Sequence, residues 1–330
     1  FSFDPGNYQR ENAFEETLRH YLRSRGLKEC VTLSLTSQAN CDKIKLSDTD
    51  YLRVQNPISQ DHMVLRPDLI ITALDILKTN IARGRENFGF FECGEVFSRG
   101  NEIEQPYKEE KRLVIVLSGH FYPSFWHQIS QVDIYFLKGL AENILELIGY
   151  PQEKIKWQPI ESSPYFDSCL AFCGFTETGV KVIQGGLIQA SVGDAFGFWG
   201  EHYCLEMAWE KLLLQTETTS FNIHEINRYP SIRRDISLVV NQNQNWASIE
   251  SFVHQFAQLN NLPIETIELF DSYQGEHLPD GKKTFSFSII FRSSQKTLTD
   301  MEVDSWVGII KTAMKNQSGI FLREEFIGGF

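Results

Sequence analysis

Basic side chains precede two strand-like segments in the last third of the chain. Arg228, Arg233 and Arg234 lead into the alternating run DISLVV, and Lys282 and Lys283 lead into TFSFSIIF. The aromatic residues in the same region are Tyr229, Tyr273 and Phe285. Cations meet phosphate and aromatic rings stack on unpaired bases. If the two strands are neighbours, these residues predict a platform for single-stranded RNA.

The charge balance limits how such a platform could work. The chain has 31 Lys and Arg against 43 Asp and Glu, and its net charge of −12 excludes a protein that coats nucleic acid through bulk charge. Residues 222–330 hold ten basic and thirteen acidic residues. Any contact with RNA must therefore be local, and a solvated basic edge is the alternative explanation.

Common catalytic signatures are missing from the sequence. It contains no G-x-x-x-x-G-K, G-x-G-x-x-G, H-E-x-x-H or G-x-S-x-G segment. The six cysteines are spread thinly, which favours a reducing compartment such as the cytoplasm over a disulfide scaffold. Cys169 and Cys173 have no second Cys or His pair at metal-finger spacing, so we expect buried thiols and no metal site.

Periodicity predicts the elements that hold the basic and aromatic residues. Beyond about Phe221 the predicted order is strand 235–240, helix 246–259, strand 264–270, strand 284–291, helix 300–315 and strand 319–322. This βαββαβ order is that of a ferredoxin-like domain of about a hundred residues. Its helices should cover one face of the sheet and leave the other face free.

The preceding part of the chain mixes helices with a larger number of strands. Helices are predicted over 10–26, 66–84 and 133–149, with Pro67 in the first turn of the second helix. Strands are predicted over 30–35, 88–97, 112–119, 154–160, 168–175 and 180–190. In the first of these strands, Val31, Leu33 and Leu35 should face a core. Strands and helices do not alternate strictly, which favours an α+β domain with a mainly antiparallel sheet.

Length and termini suggest a two-domain piece of a longer protein. With about 150 residues per domain, 330 residues indicate two domains, which we place at 1–221 and 222–330. No apolar run approaches the roughly 18 residues that cross a bilayer, so we expect no membrane partner. The chain begins with Phe1 and its first residues lack signal-peptide character, which suggests excision from something longer.

Five ordered motifs in the second domain resemble a known family. They are YPSIRRDISLVV, ELFDSYQG, LPDGKKTFSFSIIF, KTLTDMEV and the closing FLR. Together they resemble the ferredoxin-fold anticodon-binding domain that ends the β subunit of bacterial phenylalanyl-tRNA synthetase. The chain departs from the usual pattern in having a single Pro near the domain start and a tail, EEFIGGF, beyond the usual closing Leu-Arg.

The first domain resembles the core domain that precedes the anticodon-binding domain in the same subunit. The segments that carry this resemblance are GLKECVTLSLTS, VQNPISQDHMVLRPDLIITALDILKTN, FGFFECGEVF and YCLEMAWEKL. The resemblance implies a class II synthetase-like fold without catalytic groups. Class II catalysis needs arginines that neutralise ATP phosphates. FFECGEVF, with Glu92 and Glu95, has no arginine between or just before these two residues, and WGEHYCLEMAWEKL has none. We therefore expect no catalytic residue in this chain.

The resemblance also implies partners and cofactors. The complete enzyme is an (αβ)₂ heterotetramer that uses ATP and magnesium to attach phenylalanine to tRNA(Phe). For this chain it implies contact with the α subunit and with tRNA, no DNA, and no cofactor or metal of its own. The upstream tRNA-binding, editing and magnesium-binding parts of the subunit have no counterpart in these residues.

Anticodon-binding positions can be carried over motif by motif. The resemblance assigns base contact to Ser237, Asp271, Tyr273, Thr284 and Arg323. Tyr273 can stack on a base, and Asp271 can accept hydrogen bonds from a guanine Watson–Crick edge. A phosphate contact is expected of Arg233. The structural alternatives are a turn-forming Asp271, a strand-face Tyr273 and a terminal salt bridge for Arg323.

Two rival functions stay open at this point. One is the single-chain organellar type of the same synthetase, which would need the catalytic arginines. The other is a stand-alone RNA-binding or regulatory protein, because a ferredoxin-like fold does not fix function.

Overall fold

The computed structural model describes residues 5–102, 105–120, 131–216, 227–275, 278–317 and 319–323. Contacts within the chain divide it into a first unit, Phe1–Ser220, and a second unit, Phe221–Phe330. The predicted boundary near Phe221 lies outside the described residues. Among the described helices, none has the length and apolar content that crossing a bilayer needs.

The first unit contains six helices and ten strands among its described residues. The helices are α1 (Pro5–Ser24), α2 (Gln38–Lys43), α3 (Ile70–Ala82), α4 (Ile134–Ile148), α5 (Ala190–Phe196) and α6 (Trp209–Leu214). The strands are β1 (Lys28–Glu29), β2 (Leu35–Thr36), β3 (Leu52–Arg53), β4 (Val64–Leu65), β5 (Phe88–Glu102), β6 (Gln105–Ser118), β7 (Lys156–Pro159), β8 (Phe166–Phe175), β9 (Lys181–Ile188) and β10 (His202–Met207). Short 3₁₀ turns cover Gln60–His62 and Gln152–Lys154.

A seven-stranded sheet forms the centre of the first unit. Its order is β1-β5-β6-β10-β9-β8-β7, and every pair except the short parallel β1–β5 pair is antiparallel. Helices α1, α4 and α6 pack on one face, and α2, α3 and α5 pack on the other. The strands β2, β4 and β3 form a separate small sheet. The α+β prediction with a mainly antiparallel sheet is confirmed.

Three local predictions in the first unit are wrong. Pro67 precedes α3 instead of lying in its first turn. Cys169 is exposed, because the pairing of β8 with β9 shifts register between Phe166 and Ala171, while Cys173 is buried as predicted. Residues 30–34 form no strand. The side chains predicted to face the core point to solvent instead, since Val31 is 82% and Leu33 is 62% exposed. Thr32 points inward instead, where it hydrogen-bonds both carboxylate oxygens of Glu92 at 3.0 and 2.8 Å.

The second unit has the predicted βαββαβ order. Its elements are β11 (Ile232–Asn241), α7 (Trp246–Leu259), β12 (Ile264–Tyr273), β13 (Lys282–Phe291), α8 (Asp300–Lys315) and β14 (Ile320–Leu322). The four strands form one antiparallel sheet of order β12-β13-β11-β14. Both helices pack on the same side, over a core that includes Ile236, Leu238, Phe287 and Ile289. The ferredoxin-like fold is confirmed.

Helix α8 begins at a complete capping box. The Thr299 hydroxyl accepts from the Glu302 N–H at 3.4 Å, and the Glu302 carboxylate accepts from the Thr299 N–H at 2.9 Å. Each residue thus satisfies a backbone donor that the first helical turn leaves unpaired. The cap fixes where the helix starts and so places Asp300 and Asp304 beside strand β11.

Candidate nucleic-acid interface

The outer face is defined here as the side of the four-stranded sheet opposite α7 and α8. Strand alternation identifies it, because Ile236, Leu238 and Val240 of β11 lie in the core with the helices. Ser237 and Val239 must then point to the other side. Cross-strand register extends this assignment to the remaining strands.

Two neighbouring rows of the outer face bring together four of the predicted base-contacting residues. In one row Ser286 of β13 pairs with Ser237 on one side and with Asp271 on the other. The Ser237 and Ser286 hydroxyl oxygens are 2.9 Å apart. In the next row Thr284 lies between Val239 and Tyr273. Residues distant in sequence therefore share one small patch.

Exposure divides this patch into an accessible edge and a closed centre. Asp271 is exposed and Tyr273 is 39% exposed, both on the edge strand β12. Thr284 is fully buried, and its hydroxyl donates to the Tyr273 carbonyl at 3.4 Å. Ser237 is half-buried. In this conformation the carboxylate and the ring offer surface to a nucleotide, whereas Thr284 supports the strand that carries the ring.

Gly275 allows the Tyr273 ring to lie where it does. A Cβ atom built at Gly275 would collide with the Tyr273 hydroxyl. The glycine in SYQG thus gives the aromatic side chain room directly after the strand ends.

Arg233 lies at one end of the outer face, beside exposed partners. Its Nε donates to Asp235 Oδ1 at 3.2 Å, and its guanidinium carbon is 5.8 Å from the centre of the Phe270 ring. The Ser288 hydroxyl, which donates to Asp235 at 2.7 Å, and then Arg233 lower the pKa of the Asp235 carboxyl. Asp235 therefore stays ionised and holds the arginine at the surface.

Arg234 has a different role because it points to the helix side. Its Nη2 donates to Asp300 at 2.5 Å and its Nε donates to Asp304 at 2.8 Å, both on α8. These carboxylates raise the pKa of the Arg234 guanidinium. Arg234 joins β11 to α8, and of the two adjacent arginines only Arg233 is placed to meet a ligand on the outer face.

The basic residues lie at two opposite ends of the outer face instead of forming one cluster. Strands β11 and β13 are neighbours, as the platform prediction requires, but they are antiparallel, so Arg233 pairs with Ile290 and Lys282 pairs with Asn241 at the far end. Phe285, expected in the platform, is 4% exposed and lies in the helix-side core. That part of the prediction is wrong, since alternation places Phe285 and Thr284 on opposite faces.

Two exposed rings on this face were missed by the sequence reasoning. Phe270 is 53% exposed and lies where a register shift separates Leu269 from Asp271. Phe321 is 44% exposed in the short strand β14. Neither an irregular strand nor a strand of three residues shows a usable alternation, but both rings belong to the quoted motifs ELFDSYQG and FLR. Arg323 follows β14 directly and is exposed.

The first unit holds a cleft of about 360 Å³ beside the acidic strand β5. Arg66, another residue that sequence reasoning missed, extends into it from the segment before α3. Its Nη1 donates to Glu92 at 2.9 Å and to Thr32 at 2.7 Å, and its Nε donates to the Glu95 carbonyl at 2.8 Å. The two side chains of the Arg66–Glu92 ion pair are 3% and 1% exposed. A Cβ at Gly94 would collide with this guanidinium.

The other two cations that line the cleft are also paired with carboxylates. Glu15 accepts from Arg19 at 2.5 Å and from Lys111 at 3.0 Å. Burial alone would raise the pKa of Glu15, but the hydrogen bonds and the positive charges of Arg19 and Lys111 together lower it. Arg19 also pairs with Glu29. The positive charges of the cleft are therefore neutralised within the protein.

No group of His, Cys, Asp and Glu side chains in the described parts of the chain could hold a metal ion. In the cleft, the Glu15 and Glu92 carboxylates are each paired with a cation.

Comparison with known proteins identifies families for both units. Residues 2–209 match the family model described as the phenylalanyl tRNA synthetase beta chain CLM domain. Residues 227–323 match the ferredoxin-fold anticodon binding domain. The second match covers all the strands and helices described in the second unit.

Curated relatives are similar along nearly the whole chain. A phenylalanine–tRNA ligase beta subunit of Geobacillus kaustophilus is 30% identical over 97% of this chain, and one of Shouchella clausii is 30% identical over 96%. The chain spans only 39% of the length of each. Among solved structures, a pyrrolysyl-tRNA synthetase of Desulfitobacterium hafniense superposes with a TM-score of 0.47 at 15% identity, covering 61% of this chain and 67% of that chain.

Proposed function

The chain belongs to the family of phenylalanyl-tRNA synthetase β subunits, and on that premise we propose that it holds the tRNA anticodon and contacts the α subunit. It would thereby serve the ATP-dependent attachment of phenylalanine to tRNA(Phe) in the cytoplasm. One observation carries the tRNA part of the proposal. Residues 227–323 match an anticodon-binding family, and the same residues place Asp271 and Tyr273 side by side on an exposed sheet edge.

The exposed edge has the chemistry to read an unpaired base. The Tyr273 ring offers a stacking surface, and the Asp271 carboxylate can accept two hydrogen bonds from the Watson–Crick edge of guanine. Arg233 and Arg323 can approach phosphate or lie against a base plane. Ser237 lies next to this edge and can add a hydroxyl contact. Thr284 is fully buried and would contact a base only if the groups that cover it move.

Binding by the isolated chain should be weak and sensitive to salt. The net charge of −12 opposes a polyanion, and the two basic ends of the outer face supply only local attraction. In a complete subunit, the rest of the protein would add further contacts with tRNA.

The first unit is proposed to support catalysis without performing it. Adenylate formation needs cations free to neutralise phosphate. Arg19, Arg66 and Lys111 are instead paired with Glu15, Glu29 and Glu92. ATP and magnesium would then be bound by the α subunit.

An exposed apolar edge of the first unit is the proposed contact for the α subunit. Val31 and Leu33 are exposed although their neighbour Thr32 is held inward. Leu33 also lines a groove of about 380 Å³ together with Leu35 and Ile76. Exposed apolar side chains beside a groove are typical of a surface that a partner covers. An (αβ)₂ heterotetramer is the assembly we expect.

The first test is a titration of RNA with the purified chain at low salt. The probe is an anticodon stem-loop of tRNA(Phe), compared with a stem-loop altered at its first anticodon base. Wild type should prefer the phenylalanine loop, and Tyr273→Ala and Arg323→Ala should lose the preference. Equal binding to both loops, unchanged in both variants, would leave the second unit a structural module.

The subunit contact is tested by co-expression with the α subunit. Val31→Asp and Leu33→Asp should abolish co-elution, because a charge cannot be buried in an apolar interface without a partner. Val180→Asp is the matched control, since Val180 is 40% exposed in the same unit and should tolerate the change. A chain that stays monomeric beside a folded α subunit would favour the stand-alone RNA-binding alternative.

A further inference from the structure

Edge strand β12 changes its alternation at Phe270. Leu269 pairs with Phe287 of the helix-side core, whereas Asp271, two residues further on, pairs with Ser286 of the outer face. Phe270 is the extra residue of this β-bulge and pairs with no residue of β13. In a regular strand, Leu269 and Asp271 would point to the same side. The bulge therefore turns the side chains that follow it to the outer face.

The Phe270 ring lies beside Arg233 and is still exposed. Arg233 points to the outer face, and its guanidinium carbon is 5.8 Å from the centre of the Phe270 ring. This distance is close to the limit of about 6 Å for a cation–π contact. Because Phe270 is 53% exposed in the presence of this contact, the guanidinium covers only part of the ring. The rest of the ring can accept a further stacking partner.

The edge that carries Phe270 is open along its length. Every residue from 268 to 275 is exposed, and within the described part of the chain β12 has a neighbouring strand on one side only. The centre of the sheet is closed, because Val239 and Thr284 are 0% exposed. An RNA strand can therefore follow β12, but it has no open path across the sheet.

Phe270 and Tyr273 stand on this edge with Asp271 between them. At about 3.4 Å per residue, the Cα atoms of the two aromatic residues are at most about 10 Å apart. Bases that stay stacked on one another are only about 3.4 Å apart. The two rings would therefore hold two bases that no longer stack on each other, which is how single-stranded loops of RNA are recognised.

We propose that Phe270 stacks on a second unpaired base of the anticodon loop and that Arg233 binds a phosphate beside it, so that the RNA runs along β12. The proposal rests on the proposed anticodon-binding function and adds a second ring to that of Tyr273. A nucleotide fits these groups together, because a ring stacks on a base, a carboxylate accepts its N–H groups and a guanidinium binds its phosphate. Among the residues that the structure describes, the Arg233 side chain donates only through Nε, to Asp235, which leaves both Nη groups for phosphate.

The test removes the ring in the full 330-residue chain and leaves the length of the bulge unchanged. Affinity for the anticodon stem-loop of tRNA(Phe) is measured by fluorescence anisotropy at low salt. Phe270→Leu should weaken binding roughly five- to a hundredfold, the range for loss of one stacked base, whereas Phe270→Tyr should retain it. Trp199→Leu is the matched control, because it removes a ring that is 74% exposed in the first unit and should have no effect.

Two further readouts separate a stacking ring from a structural one. Phe270→Leu should unfold at the same temperature as wild type, because the ring is largely exposed. A series of stem-loops with 2-aminopurine at single loop positions assigns the bases. Phe270→Leu and Tyr273→Leu should each change the fluorescence of the bound RNA at a different loop position.

The outcomes distinguish this inference from the proposed function. If Tyr273→Leu weakens binding but Phe270→Leu does not, the second stacking position is wrong and anticodon binding stands. If wild type does not bind the stem-loop at low salt, or if neither ring matters, both proposals fail. If Phe270→Leu weakens binding only together with a lower unfolding temperature, the ring supports the strand, and the second stacking position is overturned.

Discussion

The cleft of the first unit and the outer face of the second unit use the same kinds of side chain in opposite ways. In the cleft, Arg66 is buried against Glu92 and hydrogen-bonded on several sides. On the outer face, Arg233 and Lys282 lie beside exposed rings and surface oxygen atoms. A buried cation that already has a carboxylate is committed to the fold, whereas an exposed one can exchange water for a ligand. Burial and pairing, more than residue type, therefore decide which cations are free to bind a ligand.

The largest loss of stability is expected when the buried Arg66–Glu92 pair is broken. Glu92→Gln should lower the free energy of unfolding of the first unit by about 3–5 kcal/mol, because it leaves the Arg66 charge buried without a partner. Urea denaturation followed by tryptophan fluorescence measures the change. Glu95→Gln, three residues along the same strand and exposed, is the control and should change stability by less than about 0.5 kcal/mol.

A different outcome at Glu92 would undermine the contrast between the two regions. RNA affinity of Glu92→Gln should equal that of wild type under conditions where the protein is folded. A stable Glu92→Gln variant with altered RNA binding would mean that the cleft, too, faces a ligand.

The next largest effect is a pH dependence of stability caused by Asp68, a buried carboxyl group of the first unit. Burial, and then the nearby Glu206 charge, raise the pKa of Asp68 to about 6, although Tyr165 donates to it at 2.7 Å. The folded state then binds the Asp68 proton more tightly than the unfolded state does. This contribution to stability is complete below about pH 4 and is lost as pH rises through about 6.

The measurement is the pH dependence of unfolding in wild type and in Asp68→Asn. Relative to the variant, wild type should gain about 2–3 kcal/mol in unfolding free energy between pH 7 and pH 4. If the two profiles are parallel, the pKa of Asp68 is not raised in the folded state, and this unit tolerates the buried Asp68 charge.

A smaller loss of stability is expected when the N-terminal cap of α8, the helix that binds Arg234, is removed. Thr299→Ala removes the hydroxyl of the α8 capping box and should lower the stability of the second unit by about 1 kcal/mol. Thermal unfolding detects it. Thr312→Ala, within the same helix and exposed, is the control, since its hydroxyl donates only to the Gly308 carbonyl of its own helix. Equal effects of the two changes would show that the cap does not set the stability of α8.

The smallest change in stability is expected for Arg233. Arg233→Gln breaks an exposed pair with Asp235 and should alter stability by less than about 0.5 kcal/mol. Its effect should appear in RNA binding, as a salt slope reduced by about 0.7. If Arg233→Gln lowers stability but leaves the salt dependence of RNA binding unchanged, Arg233 has a structural role, as Arg66 has in the cleft.

Local patterns predicted the elements of the second unit well. Helices Trp246–Leu259 and Asp300–Lys315 begin and end where the periodicity indicated. In the first unit the same approach failed at residues 30–34, where alternation was clear but its inward side was assigned wrongly. The exposed Val31 and the inward Thr32 depend on Glu92, which is sixty positions away in sequence. The assigned base contacts stay predictions, although the sheet brings Ser237, Asp271, Tyr273 and Thr284 together.

Local patterns in the sequence were sufficient to predict the βαββαβ order, the α+β character and the family, because periodicity and motif residues are local properties of the chain. Tertiary packing settled which cations are available. It paired Arg66 with Glu92, separated Arg233 from Lys282 by antiparallel register, and turned Phe285 inward and Phe321 outward. The physical reason is that alternation fixes which residues share a face, whereas packing against distant segments decides which face is buried.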